Sequence, residues 1–165
     1  MTVSVVVTGQ GAIPTQVYKG KKMPRVDLES NHEEADITLV QQLLSRANDT
    51  SARLTAECDD TDIFVELVYF YSVLNLECDL IMESPIRDRP AIDIGATSKE
   101  HADIASDLPA LHAVTGCDTV AATYGIGKAT AIKIAKKGFK LSSFGKLDAQ
   151  IDIIENDALS FMAAC

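Results

Sequence analysis

Several features that would mark a specialised class of protein are missing from this sequence. The four cysteines include no CxxC pair and no regular spacing, which argues against a zinc cage or a disulfide framework and favours reduced thiols. The longest apolar stretch, Ile63 to Leu76, is interrupted by Glu66 and Asn75, so it does not predict a membrane span. The N-terminal MTVSVVVTG lacks the basic flank of a signal peptide. We therefore expect an intracellular protein, nuclear or cytoplasmic, that is not secreted and does not bind a membrane.

Positive charge is also scarce, with 15 basic against 24 acidic residues and a net charge of −9. An acidic surface repels phosphate backbones at long range, so net charge alone argues against nucleic-acid binding. The distribution is uneven, however, because residues 124–146 contain no acid. This basic island carries six lysines: Lys128, Lys133, Lys136, Lys137, Lys140 and Lys146.

What is present is an ordinary globular composition, 47% apolar and 24% charged, in a chain of 165 residues. That length fits one compact domain, or a core with a small appendage. Strands that alternate with helices predict an α/β fold with a mostly parallel, helix-covered sheet. We predict strands at 3–8 (buried), 53–58, 80–82 and 91–94, a loop at 10–30, and helices at 33–47, 63–74, 98–105, 108–114, 129–137 and 148–162.

Acidic residues follow the breaks in this pattern. Asp60 and Asp62 come directly after a predicted strand, at the carboxyl end where open α/β sheets gather functional groups. Glu34 and Asp36 open a predicted helix, and Asp118 lies in a glycine-marked break. Hard cations such as Mg²⁺ need carboxylates that converge from different elements. We predict that these five acids form one cluster that binds divalent metal.

Each acid also has an ordinary structural interpretation. Acids in the first turn of a helix, such as Glu34 and Asp36, are favoured by the helix dipole. Asp60 and Asp62 could form an N-cap and a turn, and Asp118 could cap a turn. Taken singly, none of the three motifs establishes a metal site.

The segment GIGKAT, residues 125–130, invites comparison with a phosphate-binding P-loop. That motif requires glycine and Ser or Thr where Ala122 and Ala129 stand here, so we reject it. Two interpretations remain for Gly125 and Gly127. They form a plain turn before a helix, or they let a phosphate approach the backbone at a helix N-terminus. Lys128 is the strongest candidate for a phosphate contact, whereas the other lysines could form a solvated helix face.

The motifs in this order resemble a known family. Glu-Ala-Asp at 34–36, Asp-Thr-Asp at 60–62, and Gly-Cys-Asp at 116–118 followed by GIGKATA are similar to the internal region of flap-endonuclease/XPG-type nucleases, members of the PIN-like superfamily. The phrases NHEEAD, DTDIFVELVYFY and LPALHAVTGCDT also resemble those of PIN-like proteins of animal genomes that accompany mobile elements. The resemblance covers about residues 30–137.

The resemblance implies a PIN-like core at residues 1–118, lacking its N-terminal part, and a helix–two-turn–helix segment at 119–165. It implies two-metal hydrolysis of phosphodiester bonds, in DNA more than RNA, with two Mg²⁺ or Mn²⁺ ions. The implied catalytic residues are Asp60, Asp62 and Glu34, and the implied metal ligands are Glu34, Asp36, Asp60, Asp62 and Asp118. The implied nucleic-acid contacts are Gly125, Gly127, Lys128 and Lys133.

The sequence also departs from the family pattern. Flap-type nucleases place an Asp after the first strand, but Thr8-Gly9-Gln10 follows here and the first acid is Asp27. The helical arch of that family is not identifiable. A catalytically impaired module that binds nucleic acid or protein is therefore the alternative function, and a metal-dependent phosphatase ranks last. Among the histidines, we interpret His112, on an apolar helix, as a packing residue.

Overall fold

The chain falls into two compact units, residues 1–50 and residues 51–165. The computed structural model describes residues 4–9, 11–30, 35–47 and 53–165. Glu34, one of the predicted metal ligands, lies outside these described residues. The domain boundary predicted after Asp118 falls inside the second unit, because residues on both sides of it share one hydrophobic cluster.

The first unit contains a three-stranded antiparallel sheet in the order β1 (Ser4–Gly9), β2 (Gly11–Tyr18) and β3 (Lys21–Pro24). Lys19 and Gly20 both have positive φ angles, 48° and 73°, which is the backbone that a two-residue hairpin turn requires. A short 3-10 turn and the helix α1 (Ala35–Ala47) follow. Leu28 from the turn and Val40 from α1 are buried.

The prediction of a loop over residues 10–30 is wrong, because β2 and β3 occupy most of that range. Two prolines, four basic residues and little periodicity in that range indicate a loop from the sequence alone. Pro14 lies on the central strand, but it faces the point where the register between β1 and β2 shifts, between Val7 and Gly9. A β-bulge tolerates the missing backbone N–H of proline. The prediction that the first strand is buried is also wrong, since Val5 and Val7 are exposed.

The second unit begins with a parallel strand pair, β4 (Leu54–Glu57) and β5 (Leu80–Glu83). Parallel strands need a crossover connection, and here α2 (Thr61–Val73) provides it. A short strand, β6 (Ile92–Asp93), pairs antiparallel with β5, so the order is β4-β5-β6. Cys58 extends the parallel ladder, since its backbone N–H donates to the carbonyl of Glu83 at 2.9 Å.

Helix α2 is the centre of this unit. Leu67 and Val68 on it are completely buried, and it packs against the helices α3 (Ile94–Glu100) and α4 (Leu108–Val114). Two further helices, α5 (Lys128–Ala135) and α6 (Ile151–Ala164), complete the unit. A second cluster joins α4, α5 and α6 through Leu111, Ile126, Ala131, Ile134, Leu141 and Phe161.

The predicted mixed α/β fold is confirmed. Among the strands that the structure describes, β4 and β5 form the one parallel pair, and the other three pairs are antiparallel. The finer predictions, a mostly parallel PIN-like sheet and a helix–two-turn–helix element, therefore stay predictions. No helix in the described part of the chain is both long and apolar enough to span a bilayer.

Candidate functional site

Asp60 lies where the sequence predicts it, just beyond the carboxyl end of β4. It is the N-cap of α2, with an extended backbone, and its Oδ1 accepts a hydrogen bond from the backbone N–H of Asp62 at 2.7 Å. An acidic N-cap satisfies one of the free amides of a helix start. The capping interpretation is therefore correct, and it leaves Oδ2 of Asp60 outside that bond. The neighbouring Asp59 faces elsewhere, because its carboxylate pairs with Arg89.

Asp62 is held by a histidine that the sequence assigned to packing. Nε2 of His112 lies 2.7 Å from Oδ1 of Asp62. The His112 side chain is only 10% exposed, while that of Asp62 is 37% exposed. A histidine hydrogen bond to a carboxylate fixes its orientation, so His112 both packs in the unit and orients Asp62. Sequence reasoning missed this contact because 50 positions separate the two residues.

Asp118 lies in a tight turn close to the start of α2. Cys117 and Val120 form an isolated antiparallel bridge, so Asp118 is one of the two residues at the tip, and its side chain is exposed. The negative charge of Asp62 acts on the thiol of Cys117. The turn and the start of α2 are therefore electrostatic neighbours.

The thiol of Cys117 has an unusual environment. The hydroxyl of Thr119 hydrogen-bonds its Sγ at 3.6 Å, and this bond, with help from the backbone N–H of Thr119, lowers the pKa of the thiol. The nearby charge of Asp62 opposes this effect but is the weakest of the contributions. A lowered pKa raises the thiolate fraction at neutral pH.

The glycine–lysine segment adjoins the same turn. The Lys128 ammonium donates to the carbonyl of Gly116 at 2.8 Å, which ties the first residue of α5 to the start of the Gly-Cys-Asp motif. Gly125 has a φ of +79°, and Gly127 is the N-cap of α5. Added Cβ atoms at either glycine would meet no atom within 4 Å, so the backbone there is open to approach. Lys133 is exposed.

Part of the predicted site lies within the second unit. Asp60, Asp62, the turn that contains Asp118, and the start of α5 lie in one unit. Asp36 belongs to the other unit, and Glu34 is not among the described residues. Within the described ranges, no three His, Cys, Asp or Glu side chains form a group that could hold a metal ion. The five-ligand cluster and its two metal ions remain predictions.

Comparisons with known proteins do not place the chain in a family. No family model, no curated protein and no solved structure matches it.

Proposed function

We propose that this chain is the metal-binding part of a PIN-like nuclease that hydrolyses phosphodiester bonds, with DNA as the preferred substrate. The observation that carries this proposal is the arrangement around Asp62. A D-x-D pair follows a parallel strand, one of its carboxylates is oriented by His112, and the Gly-Cys-Asp turn lies beside it. Carboxylates at the carboxyl edge of parallel strands are a common ligand set for Mg²⁺.

In this proposal each acidic residue of the site is a candidate metal ligand. Asp60 and Asp62, with Asp118 from the turn, would hold Mg²⁺ or Mn²⁺. The metal would activate water and stabilise the leaving oxygen. His112 keeps Oδ1 of Asp62 occupied, so the remaining oxygen of Asp62 is the one available to a cation.

The glycine–lysine turn would hold the substrate backbone. The open backbone at Gly125 and Gly127, the start of α5 and the ammonium of Lys128 favour an anionic group there. Lys128 already donates one hydrogen to Gly116, and an ammonium has three. A phosphate bound by Lys128 would therefore lie near the turn that carries Asp118. Metal-dependent hydrolysis requires the phosphate and the metal ligands to be close to each other in this way. Lys133 would add attraction that does not depend on base sequence.

A cleavage assay tests the nuclease proposal. The chain is incubated with flap, single-stranded and duplex DNA in Mg²⁺ or Mn²⁺. Asp60→Asn should reduce the cleavage rate by about 100-fold, since it removes a metal-ligand charge. Asparagine is an equally good N-cap, so the fold should survive. The matched control is Asp59→Asn, which makes the same charge change at a carboxylate that faces Arg89.

A catalytically impaired nucleic-acid-binding or protein-interaction module is the second candidate. It is favoured by the lack, within the described residues, of a three-ligand metal group. DNA binding that weakens with salt, and is reduced by Lys128→Ala without any cleavage, would support this module and refute the nuclease. Cleavage of equal rate in the parent chain and Asp60→Asn would exclude the assignment of Asp60.

A further inference from the structure

The second unit contains a cavity with a ligand-binding character, and its apolar walls have no part in the proposed nuclease chemistry. It has a volume of about 230 Å³ and lies among α2, α3, α4 and α5. Its walls are mainly apolar, and they include Phe64, Val68, Ile104, Leu111 and Ile132. An apolar hollow that is partly open to water is unfavourable when empty and is the usual form of a small-molecule site.

Three threonines line the cavity, Thr61, Thr97 and Thr115, and the hydroxyl groups of two of them donate to backbone carbonyls. Oγ1 of Thr97 donates to the carbonyl of Asp93 at 2.7 Å. Oγ1 of Thr115 donates to the carbonyl of Leu111, also at 2.7 Å. Both hydroxyl hydrogens are therefore used within the fold. A polar ring such as a nucleobase would leave its own donors and acceptors against apolar walls, which is costly.

The charge around the cavity is unusual for this protein. The chain carries a net charge of −9, yet no Asp or Glu is among the described residues that line the cavity. The charged or titratable residues that do line it are Lys128, His101 and His112. The carboxylate of Asp62 lies beside the rim, but its Oδ1 is paired with Nε2 of His112 at 2.7 Å. The Lys128 ammonium therefore gives the rim a preference for an anionic head group over a cationic one.

His101 can donate a hydrogen bond from its Nε2. The ammonium of Lys136 lies 2.9 Å from its Nδ1. An ammonium can only donate, so Nδ1 must accept, and the ring hydrogen is then on Nε2. A carboxylate at the rim could therefore take a hydrogen bond from His101 and another from Lys128, both of which are cavity-lining residues.

We propose that this cavity binds a small apolar anion, an aliphatic or aromatic monocarboxylate whose hydrocarbon part fills the hollow while its head group meets Lys128 and His101. The size is suitable, because a cavity of about 150 Å³ holds benzene, so a volume of about 230 Å³ accommodates roughly nine carbon atoms. The site shares Lys128 with the proposed phosphate contact and His112 with the orientation of Asp62, but it requires no metal ion.

The test compares three probes that have the same octyl-length hydrocarbon and different head groups: octanoate, octanol and octylammonium. Binding to the full chain is followed by the methyl NMR signals of Val68, Ile104, Leu111 and Ile132. Octanoate should shift these signals with a Kd on the order of 0.1–1 mM. Octylammonium should bind at least about tenfold more weakly, as expected for a charge-selective rim.

Variants then distinguish the contribution of the apolar walls to binding from that of the charged rim. Lys128→Gln should weaken octanoate binding by about two- to fivefold and leave octanol binding unchanged, as expected for one exposed ion pair. Lys133→Gln is the matched control, because Lys133 is on the same helix but does not line the cavity. Ile132→Phe should abolish binding of all three probes by filling the hollow.

Three results with the octyl probes would overturn the proposal. These are unmoved methyl signals at about ten times the expected Kd, equal binding of octanoate and octylammonium, or equal losses in Lys128→Gln and Lys133→Gln. Binding of deoxyadenosine monophosphate in place of octanoate would also overturn it and would assign the cavity to the nucleic-acid substrate. None of these results depends on DNA cleavage, so this proposal and the nuclease can fail separately.

Discussion

Replacing Gly116 by alanine should destabilise the second unit more than a matched replacement at Gly125. Gly116 has a φ of +95°, and a Cβ there would lie 2.8 Å from Cβ of Ala122 and 3.0 Å from its Cα. These are parts of the backbone and of a rigid methyl group, which cannot rotate away. The loop that carries the Gly-Cys-Asp motif would therefore have to shift.

The magnitude follows from three contributions. A side chain at positive φ costs about 1–2 kcal/mol, and crowding into a packed contact costs about 1–3 kcal/mol. Alanine also stiffens the unfolded chain, which opposes these costs by about 0.4–1 kcal/mol. We expect Gly116→Ala to lower the free energy of unfolding by about 3 kcal/mol.

Gly125→Ala isolates the conformational part of this cost. Gly125 has a similar φ, +79°, but a Cβ there meets no atom within 4 Å. Its loss should be only about 0.5–1 kcal/mol. The difference between the two variants, about 2 kcal/mol, then measures the close approach of Gly116 to Ala122.

Urea unfolding followed by circular dichroism at 222 nm is the assay. Five of the six described α-helices belong to the second unit, so the helical signal reports mainly on that unit. The midpoint should fall for Gly116→Ala while the slope stays unchanged. Equal losses for the two variants would show that the segment carrying Ala122 does not fold back onto Gly116, and would remove the support for the turn that contains Asp118.

Two further predictions concern a thiol and a close contact. Thr119 lowers the pKa of the Cys117 thiol, whereas burial raises the pKa of Cys78 and of Cys165. Alkylation of Cys117 should therefore reach half its maximal rate at a lower pH than alkylation of the other two. Thr119→Val should move the midpoint for Cys117 to higher pH, as measured by peptide mapping across a pH series. A Cβ at Gly95 would lie 2.7 Å from the hydroxyl oxygen of Tyr71, so Gly95→Ala should displace that hydroxyl from the carbonyl of Cys78 and lower the free energy of unfolding by about 2–4 kcal/mol. In a Tyr71→Phe background the loss from Gly95→Ala should be smaller by about 1 kcal/mol or more. An unchanged loss would refute the contact.

Much of the second unit could be predicted from the sequence because its signals are local. The hydrophobic pattern predicts β4 and, after it, the apolar run that becomes α2. Asp60 lies between them, at the end of the strand and at the N-cap of the helix. The helix predicted at 108–114 is found as α4, with the same limits. Such features depend on residues within a few positions of each other.

The first unit was harder to predict because its signals conflict. Pro14 and Pro24 indicate a loop, whereas the structure has an antiparallel sheet with a proline at a bulge. Whether a proline is tolerated depends on the partner strand opposite it. That partner cannot be read from the residues on either side of the proline.

The sequence by itself determined the mixed α/β class, the position of Asp60 and Asp62 after a strand, and the glycine turn before α5. Only the tertiary structure decided that His112 binds Asp62, that Lys128 binds Gly116, and that an acid-free cavity opens among four helices. The physical reason is distance along the chain. Helix caps and strand ends involve neighbouring residues, whereas side-chain pairs across 50 positions exist only once the helices have packed.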